Sequence, residues 1–149
     1  MQSEAMTLHG KSLLDYYNGD LDAVTILQRD DGYVSELPVK EFFRDVQEFS
    51  LDKTALDLCY GHILDIGAGS GIHSLFLQDK GLEVMAIDIS PEAVRVMRER
   101  GVVNVHLADI MSFGLGGLTA IAFVITEFST SFIAKALFRI AMSILSKSW

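Results

Sequence analysis

Ile63-Leu64-Asp65-Ile66-Gly67-Ala68-Gly69-Ser70-Gly71 is an apolar run that carries one acid and then breaks into three glycines at alternate positions. The apolar part predicts a buried parallel strand. The glycines predict a tight turn whose backbone approaches a ligand, with a helix starting behind it. The spacing is G-x-G-x-G, which differs from the G-x-G-x-x-G of dinucleotide folds. Asp65 also stands two residues before the first glycine, where such folds keep an apolar residue.

A regular alternation extends outward from this stretch. His62 to Ile66 reads as a strand and Gly71 to Lys80 as a helix stopped by Gly81. Glu83 to Ile87 reads as the next strand. Ser90-Pro91-Glu92 supplies a cap, a proline for the first helical position and an acid for the first turn of a helix ending at Gly101. Val102 to Leu107 gives a third strand. Strand–helix–strand–helix–strand with short loops predicts right-handed crossovers and a parallel sheet.

Upstream, Asn18-Gly19 and Asp30-Asp31-Gly32 signal turns. Leu21, Val24, Ile26 and Leu27 are expected in a short helix over the core. Pro38 suits the first turn of a helix over about 39–49, with Phe42, Phe43, Val46 and Phe49 on its apolar face. A second helix is expected over about 51–59. Downstream, Leu118 to Thr126 reads as a fourth buried strand and Ser131 to Lys147 as a helix.

The chain has 149 residues, half of them hydrophobic, which suits one folded domain. Its net charge of −8 argues against a broad nucleic-acid-binding surface. Cys59 is the single cysteine, so no disulfide framework is expected and a reduced, cytoplasmic setting fits. His9, His62 and His106 show no metal-ligand spacing, so no metal site is expected. No basic start followed by an apolar stretch marks a signal peptide. The most apolar window, Leu115 to Thr126, is short of the ~20 residues that span a bilayer. A soluble protein without a membrane partner is expected.

Asp88 lies 21 residues after Gly67, the interval at which an acid closing the second strand accepts hydrogen bonds from a ribose. Asp109, near the end of the third strand, is placed to read an adenine amino group; a turn residue is its other reading. From His62 to Phe113 the chain resembles the class I, Rossmann-like S-adenosylmethionine-dependent methyltransferases. Leu64 to Gly71 stand for their first motif, Ala86-Ile87-Asp88-Ile89-Ser90-Pro91-Glu92 for the ribose motif, and Leu107-Ala108-Asp109-Ile110 for the adenine motif. The resemblance implies S-adenosyl-L-methionine as cofactor. Asp65 with Gly67, Ala68, Gly69, Ser70 and Gly71 would hold its methionine end, and Asp88 its ribose. Ile89 would pack on the adenine, with Asp109, flanked by Ala108 and Ile110, binding the amino group. Tyr16, Tyr17 and Arg44 are either lid contacts or packing residues. His73 is expected to face solvent or cap the helix start.

The expected architecture is therefore α/β: a Rossmann-like parallel sheet with helices on both faces, shortened at its C-terminal end and preceded by N-terminal helices. Residues 1–60 would form a helical cap, 61–113 the cofactor-binding core, and 114–149 an atypical apolar strand–helix tail of the same domain. Residues 1–113 hold nineteen acids and nine Lys or Arg (9 − 19 = −10), whereas 114–149 hold one acid and three bases (3 − 1 = +2). Such a shift suits a truncated or frame-changed gene product, or a divergent native ending. The exposed sheet edge and the apolar tail predict a homo-oligomer. The expected activity is methyl transfer to an unidentified acceptor, with a small molecule favoured. Two other readings stay open: a non-catalytic binding or assembly module of the same fold, and a nicotinamide-dependent oxidoreductase.

Overall fold

The structure is a computed structural model, and it describes residues 2–48 and 50–113. The fourth strand, the tail helix and the contacts expected of them lie outside the described residues. Helix α1 (Gln2–Tyr17) leads into a hairpin of β1 (Val24–Gln28) and β2 (Val34–Pro38). Two short 3-10 turns, Val39–Phe43 and Val46–Glu48, precede α2 (Ser50–Asp57). The alternation then runs β3 (His62–Ile66), α3 (Ile72–Asp79), β4 (Glu83–Asp88), α4 (Pro91–Arg100) and β5 (Val105–Leu107).

The three last strands form one parallel sheet in the order β3-β4-β5. Register pairs Ile63 with Val84 and Asp65 with Ala86, so these four side chains share a face. On that face Ile63 and Val84 pack with Ile72 and Leu77 of α3, and Ala86 packs with Val94 and Met97 of α4. The opposite face carries Leu64 and Ile87, both fully buried, so the sheet is covered on its two sides. This is the α/β, Rossmann-like arrangement that the strand–helix alternation predicts.

Local chemistry explains the helix ends. Ser90 Oγ accepts the N–H of Ala93, Pro91 starts α4, and Gly101 ends it in the left-handed region. Gly81 closes α3 with its N–H on Gln78 O, while the N–H of Leu82 returns to Leu77 O.

Three local expectations are corrected. Residues 24–28 form a strand where a helix is expected, paired with β2 from Val24↔Pro38 to Gln28↔Val34. Val24, Thr25 and Ile26 are consecutive β-branched residues, and burial alternates with period two along β1. The expected helix over 39–49 is broken into the two 3-10 turns, because Arg44 is extended and Asp45 Oδ1 accepts the N–H of Gln47. Strand β5 starts at Val105 and not at Val102, whose N–H instead caps α4 through Met97 O.

The N-terminal elements sit on the sheet domain through a third core. Leu13 of α1, Val39 and Phe42 meet Ala93 at the start of α4. Beside it α1 crosses α4 at Gly10, where an added Cβ would stand 1.8 Å from Ser90 Oγ. That contact brings α1 and the hairpin against the ends of β3 and β4. Among the described residues no helix is long and apolar enough to cross a membrane.

Candidate functional site

A cavity of about 530 Å³ opens between the glycine turn, α1, the hairpin and the first 3-10 turn. That size suits a small-molecule ligand. Gly67, Ala68, Gly69, Ser70 and Asp88 form one wall, so the structure brings these sequence-predicted residues together. Asp65, Gly71, Ile89, Ala108, Asp109 and Ile110 are not part of the wall.

Four of the turn's five N–H groups are satisfied within the protein. Gly67 and Ala68 donate to Ile87 O at 2.9 and 3.1 Å, and Gly71 donates to Ala68 O at 2.8 Å. The N–H of Gly69 goes to Asp88 Oδ2 at 3.0 Å, and Asp88 Oδ1 accepts the N–H of Ser90 at 2.8 Å. A pyrophosphate needs free N–H groups at such a turn, and these four are engaged. What the turn offers is acceptors and space. The Asp88 carboxylate, with about four lone-pair sites, keeps acceptor capacity beyond these backbone contacts. Gly67 has φ 67°, and a Cβ built on it meets no protein atom within 4 Å, so a side chain there would enter open space.

Asp65 is fully buried and accepts Ser74 Oγ–H at 2.6 Å through Oδ2, while its Oδ1 has no hydrogen-bond partner in the protein. An orphaned buried carboxylate oxygen is costly, and with Asp65 outside the cavity wall that cost falls on the fold behind the glycine turn. Burial is the main reason that the Asp65 and Asp88 carboxyls are pushed above the ordinary aspartate range. For Asp65 the Ser74 hydrogen bond opposes the shift; for Asp88 the N–H groups of Ser90, Gly69 and Ile89 do. These features fit the cofactor that the resemblance implies, whose ammonium, ribose hydroxyls and adenine amino group are donors.

A raised carboxyl means that the folded state binds more protons than the unfolded one between the two pKa values. Stability therefore falls as pH rises from the ordinary aspartate range through the folded value. Asp65→Asn is expected to raise stability near neutral pH by about 1 kcal/mol and to flatten that acid-side slope. Urea denaturation of both proteins across that range checks it; an Asn variant less stable near neutrality would contradict it.

The remaining expected residues take different places. Asp109 is exposed and its Oδ1 accepts the N–H of Met111, while Ala108 donates to Asp88 O at 2.9 Å, holding residues 108–110 beside the end of β4. Ile89 is 39% exposed just after β4. Arg44 lines the cavity, whereas Tyr16 packs against Phe43 with ring centroids 4.7 Å apart. Tyr17 is not in the wall. His73 is buried, which corrects the expectation that it faces solvent. Its Nε2 lies 3.4 Å from Asp52 Oδ2, and the same oxygen accepts Arg44 Nη2 at 2.8 Å. Asp52 thus ties two cavity residues together.

Sequence reading missed the opposite wall. His9 and Ser12 of α1 and Thr25 of β1 line the cavity, in a hydrogen-bonded group. The only sequence signal was the i, i+3 spacing of His9 and Ser12, which puts them on one helix face. Nothing local pairs them with Thr25. Among the described residues no cluster of His, Cys, Asp or Glu is arranged to hold a metal.

Comparison with known proteins agrees with this geometry. A family model described as a methyltransferase domain matches residues 63–146, more than half of the chain. A SAM-dependent methyltransferase from Bacteroides fragilis, crystallised with S-adenosyl-L-homocysteine, is 42% identical with a TM-score of 0.59 over 69% of this chain and 43% of that one. The magnesium-protoporphyrin O-methyltransferase of Rhodobacter capsulatus is 29% identical over 84 residues, which are 52% of this chain and 38% of that protein. The ubiquinone biosynthesis O-methyltransferase of Xanthomonas oryzae pv. oryzae is 44% identical over 46 residues, 31% of this chain and 19% of that protein. The chain spans less than half the length of each of these relatives. With the parallel sheet, the alternate glycines and the two buried acids, these matches place the chain in the family of class I S-adenosylmethionine-dependent methyltransferases.

Proposed function

We propose that this chain binds S-adenosyl-L-methionine at the glycine turn and transfers its methyl group to a small-molecule acceptor held in the same cavity. The observation that carries the reading is the turn itself: the N–H groups of Gly67, Ala68, Gly69 and Gly71 are internally engaged, while the buried Asp88 carboxylate beside it lines the cavity and keeps acceptor capacity. That favours a ligand rich in donors over a pyrophosphate.

In this reading residues 61–113 hold the cofactor and residues 1–60 cap it. The turn from Gly67 to Gly71 holds the methionine end, with Asp65 buried behind it, and Asp88 accepts from the ribose. Ile89 offers an exposed apolar surface to the adenine, and residues 108–110 bound its edge. When bound, S-adenosylmethionine supplies a methyl group made electrophilic by its sulfonium. The protein's task is to orient the acceptor against that methyl group and to exclude water from the cavity.

Calorimetric titration of the full chain with S-adenosylmethionine and S-adenosylhomocysteine, with NAD as control, tests the proposal. Micromolar binding of the first two and none of NAD is expected. Binding of NAD alone, or of none of the three, overturns it.

A further inference from the structure

Arg100, the last residue of α4, lies outside the cavity wall and yet reaches the glycine turn. Its Nη1 donates to Ser70 O at 2.7 Å, across thirty residues of chain. The same guanidinium stands over the Phe43 ring, with its Cζ 4.8 Å from the centroid. Phe43 in turn packs on Tyr16 of α1. Ser70 completes the connection, because its hydroxyl donates to Phe42 O. The middle residue of the turn is thus held twice, its carbonyl by Arg100 and its side chain by the first 3-10 turn.

A guanidinium suits this double contact. It is planar, always charged, and able to donate from its edge while resting against an aromatic ring. Arg100 is half-buried, so both contacts are less weakened by water than they would be on an open surface. Its point of departure is also fixed. Gly101 closes α4, and the Gln78 side chain of α3 donates to Gly101 O at 3.2 Å and accepts the N–H of Val103 at 2.9 Å.

We propose that Arg100 is a positioning residue for S-adenosylmethionine: through Ser70 and Phe43 it fastens the glycine turn to the N-terminal elements and keeps the cavity assembled before the cofactor arrives. The inference rests on the methyltransferase reading above. Ser70 and Phe42 both line the cavity, so the spacing between the turn and the first 3-10 turn sets the space open to a ligand. Without the guanidinium, Ser70 O loses a charged donor and the Phe43 ring loses its cation. The assembled arrangement then becomes one of several populated by the free protein. Cofactor binding must restore it, so the apparent affinity falls by the assembled fraction. Release of the bound ligand quickens for the same reason.

Calorimetry and release kinetics on the full chain with S-adenosylmethionine and S-adenosylhomocysteine test this, together with carbonyl NMR of the ligand-free protein. Arg100→Met keeps an extended side chain and removes the donor and the charge. It is expected to weaken both ligands by about tenfold, the scale of one lost hydrogen bond to a charged group, and to speed release by a similar factor. The Ser70 carbonyl carbon resonance should move as its hydrogen bond is lost. Arg100→Lys, a point charge that serves one partner at a time, should restore part of the affinity. Phe43→Leu should also weaken binding, and combined with Arg100→Met it should cost less than the product of the two separate factors. Val84→Ala, in the core near the start of β4 and outside the cavity wall, is the control. It should lower stability in urea through the space it leaves, with both affinities unchanged. Unchanged affinity in Arg100→Met, a Ser70 carbonyl that does not respond, or an equal loss of affinity in Val84→Ala overturns the proposal alone. A parent chain that binds neither ligand defeats the underlying functional reading, and the proposal with it.

Discussion

Asp88→Ala is expected to weaken S-adenosylmethionine binding by tenfold or more and to lower folding stability by about 2–4 kcal/mol. The carboxylate is buried and is the acceptor for two backbone donors, the N–H of Gly69 and the N–H of Ser90. Alanine leaves both without a partner, and a buried unsatisfied donor costs about 1–3 kcal/mol. Part of that loss is offset, because the variant no longer buries a charge. In the proposed binding mode the loss has two sources: the ribose loses its acceptor, and the glycine turn loses the bond that holds Gly69 to the end of β4. Asp88→Asn separates them. Its amide oxygen can accept one of the two N–H groups, so stability is expected to recover partly while affinity stays low. Calorimetry and urea denaturation on the three proteins are the measurements. Unchanged affinity in both variants would remove Asp88 from the cofactor site.

Gly71→Val is expected to destabilise the fold by about 3 kcal/mol, whereas Gly67→Ala should cost only about 1–2 kcal/mol and yet impair cofactor binding more severely. Both glycines have positive φ, 81° and 67°, where an L side chain is strained by about 1–2 kcal/mol. They differ in what a side chain would meet. At Gly71 an added Cβ lies 2.8 Å from Val102 Cγ2 and 3.0 Å from Met97 Cγ, so overpacking of about 1–3 kcal/mol adds to the strain. At Gly67 it meets nothing, because that position opens onto the cavity. Thermal or urea unfolding ranks the two for stability, and titration ranks them for binding. The reverse order in both would show that the turn's outer glycines have exchanged roles.

This contrast shows how far the sequence could be read. Three alternate glycines after an apolar run announced a strand, a tight turn and a helix, because few other residues adopt those dihedrals. They did not reveal that Gly71 is required by α4 and the loop to β5 while Gly67 is required by the cavity. Likewise Ser90-Pro91 and Gly101 marked the ends of α4, since capping is chemistry between near neighbours in the chain. The hairpin was misread because Leu21, Val24, Ile26 and Leu27 also suit a short helix. Pairing with β2 decided the matter, and the turn between the strands is closed by the N–H of Gly32 on Arg29 O.

The parallel sheet, the glycine turn and the two acids at the ends of β3 and β4 were determined by the sequence alone, since each depends on local dihedrals, hydrophobic period or short spacing. The opposite wall was decided only by tertiary structure. His9 and Thr25 stand sixteen residues apart on different elements, and they meet because Gly10 lets α1 close on Ser90 and because Leu13 docks against Ala93. Close approach of backbones and burial of distant side chains are properties of the packed chain, so the residues that face a ligand from two elements become visible only once those elements are packed.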